Sequence, residues 1–109
     1  MDSYQIVETA RRTGKIEKGT NEVTKSVERG QAKLVVIADD VNPKEITQHL
    51  PILCKEKGIL CLNVDSKKKL GISAGLNVGT SAVAVTDGGD AAADIDTLSQ
   101  DGKKKAVKK

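Results

Sequence analysis

Between residues 17 and 25 the chain reads EKGTNEVTK, in which Asn21, Glu22 and Lys25 supply an amide, a carboxylate and an ammonium group over little more than one helical turn. Asn21 and Lys25 are four apart and Glu22 and Lys25 three apart, so on a helix all three project from one side. In that arrangement a carboxylate accepts from the donor edge of a guanine, an ammonium donates to guanine O6 and N7, and an amide does both. Gly19 precedes the helix start, whose free N–H groups and partial positive charge bind phosphate, and a glycine lets another backbone come close. Spacing alone favours a plainer reading: Thr20 caps the helix and Glu22 complements its dipole.

The remaining reactive residues do not assemble into a catalytic pattern. His49 is the only histidine, with Glu45 four residues before it and no nucleophile nearby, and reads as a solvent-facing or helix-packing residue. Asp39 and Asp40 pair two carboxylates after an apolar run, where α/β folds tend to place ligands, but loop polarity accounts for them and a further ligand would be needed for a metal. Cys54 and Cys61 lack metal-ligand spacing and read as small buried hydrophobes. Gly71, Gly75 and Gly79 match no phosphate loop and read as helix ends and a flexible turn. No catalytic residue, metal or cofactor is expected, and the chain is not read as an enzyme.

Composition narrows the partners. Tyr4 is the only aromatic among 109 residues, so base stacking on aromatic side chains, the usual device of single-strand binders, is excluded. The core must be built from Val, Ile, Leu and Ala. Net charge is only +3, yet residues 1–86 hold 13 basic against 10 acidic residues, and the rest divides into five Asp between 87 and 101 and five Lys in KKKAVKK. No signal-peptide pattern is recognisable and no apolar run nears the roughly 20 residues that span a bilayer. A soluble, cytoplasmic protein with no membrane partner is expected.

The elements that must position these residues alternate. SYQIVETARRT, 3–13, has the apolar spacing of an amphipathic helix, with Gly14 at its end. KIEK forms an edge strand. Thr20 to Arg29 is a second helix with Val23 and Val27 on its inner side, stopped by Gly30. AKLVVIA, 32–38, is a β-branched run expected at the sheet centre, covered on both faces. Asn42, Pro43 and Glu45 give the start of a third helix that runs to Gly58, with Pro51 expected to kink or divide it. ILCLNV, 59–64, is a strand; Ser66 caps a fourth helix to about Gly75, although Lys69 stands where Glu would complete a capping box. TSAVAV, 80–85, is a fourth strand, and GDAAADIDTLSQ a last helix with Asp87 or Asp90 near its start. The pattern predicts an α/β fold, a three-layer α/β/α sandwich with a mixed sheet of about four strands, as one domain over 1–100 followed by a Lys-rich tail, 101–109.

The run KGTNEVTKSVERGQAKLVVIADDVNPKEITQHLPILCKEKGI, continuing through SKKKLG and AVAV, resembles the archaeal kink-turn-binding ribosomal proteins of the large subunit, whose relatives include core proteins of small nucleolar ribonucleoproteins. The likeness covers about residues 3–86. It implies binding to RNA kink-turns, sharp bends flanked by sheared G·A pairs, with Gly19, Thr20, Asn21, Glu22 and Lys25 entering the widened groove. Glu22 and Lys25 would meet the guanines and Asn21 the backbone; Lys18, and more weakly Lys15, would serve phosphates. Asp39, Asp40 and Val41 would border the RNA, and Leu76, Asn77 and Val78 would pack against bases turned out at the bend. Archaeal relatives usually carry an acidic residue after that leucine and a proline after the valine; Asn77 and Gly79 depart from this, which should loosen the loop and broaden the RNAs tolerated.

The resemblance further implies partners: kink-turns in large-subunit rRNA and in box C/D and H/ACA guide RNAs, ribonuclease P RNA, and scaffold proteins of guide-RNA methylation complexes that dock on the third and fourth helices. The free protein is expected to be monomeric. A protein-interaction adaptor on the same fold is the alternative, but relatives of that kind lack the T-N-E-x-x-K arrangement kept here at Thr20, Asn21, Glu22 and Lys25.

Overall fold

The computed structural model describes residues 3–41 and 48–97. In chain order these form α1 (Ser3–Thr13), β1 (Lys15–Lys18), α2 (Thr20–Glu28), β2 (Leu34–Ala38), α3 (His49–Lys57), β3 (Leu60–Val64), α4 (Lys67–Ser73) and β4 (Ala82–Asp87). A 3-10 turn, Gly89–Ala91, then leads into α5, residues 92–97. The sheet order is β1-β4-β2-β3, with β4 antiparallel to both its neighbours and β2 parallel to β3.

All five side chains of β2 are buried, and because strand side chains alternate they feed two cores. Leu34, Val36 and Ala38 face α1, α4 and α5, joining Ile6, Val7, Ala10, Leu70, Ala74 and Ile95. Val35 and Ile37 face α2 and α3, joining Val23, Val27, Leu50 and Cys54, with Ala82 and Ala84 of β4. The layers are therefore helix, sheet, helix, as the sequence predicts. Leu34, Leu50 and Leu70 are fully buried, and each such side chain contributes about 2 kcal/mol by leaving water. The small residues of β4 give α2 room to approach the sheet, and the core on that side contains no aromatic ring.

Several boundaries move for local reasons. The strand expected from residue 32 starts at Leu34, because Gln31 and Ala32 donate their N–H groups to Ser26 O at 2.9 and 3.3 Å and so finish α2. The strand expected over 80–85 is displaced to Ala82–Asp87: Thr80 N is taken by Lys67 O at 3.0 Å, while the strand's far end continues alongside Lys15. Ser66 caps α4 as expected, its Oγ accepting from Lys69 N at 3.2 Å. Pro51, expected to kink or divide the helix, stands third in α3, which is described from His49; the part of the expected helix over 42–47 lies outside the described residues. Asn42, Pro43 and Glu45, and the end of the last helix with the 101–109 tail, lie outside the described residues.

Gly71 is a correction of a different kind. It is no helix end but lies inside α4, buried. A Cβ there would stand 2.0 Å from Val78 O and 3.0 Å from the Gly79 Cα, so the missing side chain is the space in which the 76–79 loop lies against the helix. Gly71→Ala is therefore expected to destabilise by about 1–3 kcal/mol as an overpacked site, read as a lower urea midpoint; an unchanged midpoint would contradict the close approach.

Candidate nucleic-acid interface

Strand pairing decides which loops meet. Lys18 stands opposite Val83, Ile37 opposite Ala82, and Ala38 opposite Val64. The ends of β1, β2 and β3 and the start of β4 thus share one end of the sheet. That end carries the β1–α2 turn, the 39–41 turn, the start of α4 and the 76–81 segment.

Gly19 makes the β1–α2 turn with φ 92° and ψ 151°, a conformation that side chains resist. A Cβ there would touch nothing, so the requirement for glycine is in the backbone alone. Its N donates to Ala82 O and its O accepts from Val23 N, both at 2.9 Å, which ties the start of α2 to the start of β4. No side chain caps α2. Thr20, expected as the cap, is the first helical residue, and its Oγ1 instead shares a hydrogen bond with Ser81 Oγ at 2.5 Å. No side-chain cap takes the N–H groups of the first turn, and the positive end of the helix dipole lies there.

Asn21 and Glu22 are exposed on that turn and Lys25 is exposed on the next. Lys25 Nζ lies 3.7 Å from Glu22 Oε1, so an acceptor and a cationic donor are held side by side. Lys18 is exposed just before them, but Lys15 is at the other end of β1, opposite Asp87. Three residues of strand, about 10 Å, separate it from Lys18.

The 39–41 turn is partly committed to structure. Asp39 Oδ1 accepts from Asn63 Nδ2 at 2.7 Å, and Asp40 Oδ1 accepts from Lys67 N at 2.8 Å, serving the start of α4. Val41 is buried in the core that holds α1 and α4. In the second loop Leu76 N donates to Gly71 O at 2.8 Å; Asn77 is exposed and Val78 keeps 68% of its surface in solvent. Sequence reading missed Lys67, whose backbone holds both Asp40 and Thr80 and whose side chain lies beside Gly79. Its place directly after the Ser66 cap was the available signal.

Elsewhere the chemistry is quiet. His49 Nε2 lies 2.8 Å from Thr24 Oγ1 and joins α3 to α2. Cys54 and Cys61 are free and adjacent; hydrogen bonding to Cys54, then burial, pushes the Cys61 thiol up, away from the reactive thiolate. Among the described residues no three His, Cys, Asp or Glu side chains are grouped to hold a metal, and no helix is long and apolar enough to cross a membrane. A cleft of about 640 Å³, lined in part by Lys33, Lys57, Asp87 and Ile95, opens at the other end of the sheet. At the Gly19 end a second, shallower cleft of about 460 Å³ lies beside Asp39, Val41 and Asn63.

The model of the ribosomal protein L7Ae/L30e/S12e/Gadd45 family matches residues 1–95. The chain belongs to this family. Within it, the large ribosomal subunit protein eL8 of Haloquadratum walsbyi is 48% identical over 97 residues, covering 89% of this chain and 81% of that protein. A solved structure, the 15.5kD RNA binding protein of Giardia lamblia, superposes with a TM-score of 0.81 at 34% identity, covering 95% of this chain and 85% of that one. The chain thus shares its fold with a solved RNA-binding protein and much of its sequence with a ribosomal protein.

Because the Glu22–Lys25 pair is exposed, it adds little stability. Glu22→Ala and Lys25→Ala should each shift the unfolding free energy by less than about 0.5 kcal/mol, whereas Gly19→Ala should cost about 1–3 kcal/mol from its positive φ. Urea denaturation of the three variants checks both; a large loss from Glu22→Ala would make that residue a structural one.

Proposed function

We propose that this chain is a non-catalytic RNA-binding protein of ribosomal and related ribonucleoprotein particles, and that it selects kink-turn RNA in its bent form. The observation that carries the reading is the start of α2: a helix N-terminus without a side-chain cap, with Asn21, Glu22 and Lys25 exposed over two successive turns. The family membership and the RNA-binding relative support it.

In this mechanism the uncapped N–H groups and Lys18 take phosphates, and Glu22 and Lys25 take the donor and acceptor edges of the guanines in the sheared pairs. Asn21 bridges to the backbone, while Gly19 and Thr20 set the turn. Leu76, Asn77 and Val78 meet bases turned out at the bend, and Asp39 and Asp40 border the contact. Phosphates supply affinity and base edges supply specificity. A free kink-turn exchanges between extended and bent forms, and a protein that touches only the bent one shifts the population toward it. The RNAs proposed are large-subunit rRNA, box C/D and H/ACA guide RNAs and ribonuclease P RNA, with scaffold proteins of methylation complexes as further partners, in the cytoplasm. Asn77 and Gly79 widen the range of kink-turns accepted.

Titration against a kink-turn and a straight duplex of equal composition tests this, with clear preference for the kink-turn expected and equal affinity sinking it. Glu22→Ala and Lys25→Ala should each lose about 1–3 kcal/mol on the kink-turn, while Lys18→Ala weakens binding to all RNAs and lowers the salt slope by about 1.

A further inference from the structure

One hydroxyl gathers three elements next to the second loop. Tyr4, on α1, donates through Oη to Asp65 Oδ1 at 2.5 Å and accepts from Ser66 N at 3.2 Å. Both partners belong to the turn between β3 and α4, 61 and 62 residues along the chain. The next residue, Lys67, receives Asp40 Oδ1 on its N–H and gives its carbonyl to Thr80 N at 3.0 Å. The loop is also seated on Gly71, where Val78 O occupies the space of a Cβ. A continuous path of contacts therefore runs from the Tyr4 hydroxyl through the start of α4 to Val78.

We propose that Tyr4 is a positioning residue that sets the 76–79 loop for its ligand, an inference that rests on the RNA-binding reading above. The alternative role, holding α1 to the body, does not need the hydroxyl. Ile6, Val7 and Ala10 are completely buried and dock that helix by themselves, and the Tyr4 ring adds to the same core. The hydroxyl instead satisfies Ser66 N at the helix cap and restrains Asp65. A shift of that turn moves Lys67, and with it the anchor of Thr80. Val78 is mostly exposed, so the neighbouring core does not hold it in place.

The charges agree with a persistent contact. Partial burial, then the hydrogen bond to Asp65 and its negative charge, hold the Tyr4 phenol above the usual tyrosine value. The same hydrogen bond, helped by Lys69, holds Asp65 below the usual carboxylate value. Stability from the raised phenol is fully present below the ordinary tyrosine value and is lost as pH rises through the folded one. Stability from the lowered carboxyl is present above the ordinary aspartate value and is lost as pH falls through the folded one. The contact therefore stands throughout the neutral range.

The test uses two kink-turn RNAs that differ only in whether the nucleotide facing the loop carries its base or is abasic, with a straight duplex as reference. Tyr4→Phe is expected to lose about fivefold in affinity for the RNA with the base and less than about twofold for the abasic one, since a net hydrogen bond is at stake and contacts coupled to one another are not additive. Asp65→Ala, at an exposed position, should show the same pattern. It should also lower the midpoint of tyrosinate absorbance, which reports this site alone because no other aromatic residue is present. Equal losses on both RNAs, or no loss on either, overturn the positioning role. A wild type that binds kink-turn and duplex alike overturns the RNA-binding reading and this inference together, whereas a discriminating wild type isolates the failure to Tyr4.

Discussion

The burial of β2 on both faces is the constraint from which the rest of the molecule follows. Five consecutive apolar side chains with no solvent face require a helical layer on each side of the sheet. Tyr4, at the margin of one core, is the single aromatic ring near the strand, so the layers close mainly on Val, Ile, Leu and Ala, and close approach replaces bulk. That is why alanines line β4 beneath α2 and why Gly71 admits the backbone of a loop. With β4 running against β1 and β2, three strand ends and one strand start converge, and the polar segments that need no burial collect there.

At that end the molecule withholds the side chain that a helix start normally uses on itself. Thr20 turns to Ser81, Gly19 supplies only backbone, and α2 is left without a side-chain cap. Leaving such donors unsatisfied by the protein costs stability in the free state, a cost that a phosphate would offset on binding. The Glu22–Lys25 pair has the same character: too exposed to matter much for folding, it keeps two side chains of opposite sign at a fixed spacing. Stability resides in the two cores and the recognition chemistry proposed above at the rim, so the two can be altered separately.

Much of this was readable in the residues. The β-branched run Leu34–Ala38, the Ser66 cap and the amphipathic spacing of α1 and α2 are local signals, and each element formed where its own residues dictate. The misread positions depend on partners far along the chain. Thr20 looks like a cap until Ser81, 61 residues away, is beside it. Gly71 looks like a helix end until the loop lies on it, and Tyr4 looks like an ordinary core residue until Asp65 and Ser66 reach its hydroxyl. Lys15, ranked below Lys18 as a phosphate contact, lies at the opposite end of the strand from it. The grouping of Asn21, Glu22 and Lys25 was legible from helical periodicity; the convergence of the 39–41 turn and the 76–79 loop beside them came from the family resemblance and not from local pattern, because sheet order is a long-range property.

Shape selection is the central claim, and its most direct measurement is the end-to-end distance of a doubly labelled kink-turn RNA, followed by energy transfer as the protein is added under ionic conditions that favour the extended form. The account predicts that saturating protein moves the population to the bent form, and that Glu22→Ala requires a higher protein concentration to do so. Saturable binding that leaves the transfer efficiency at its extended-form value would contradict it.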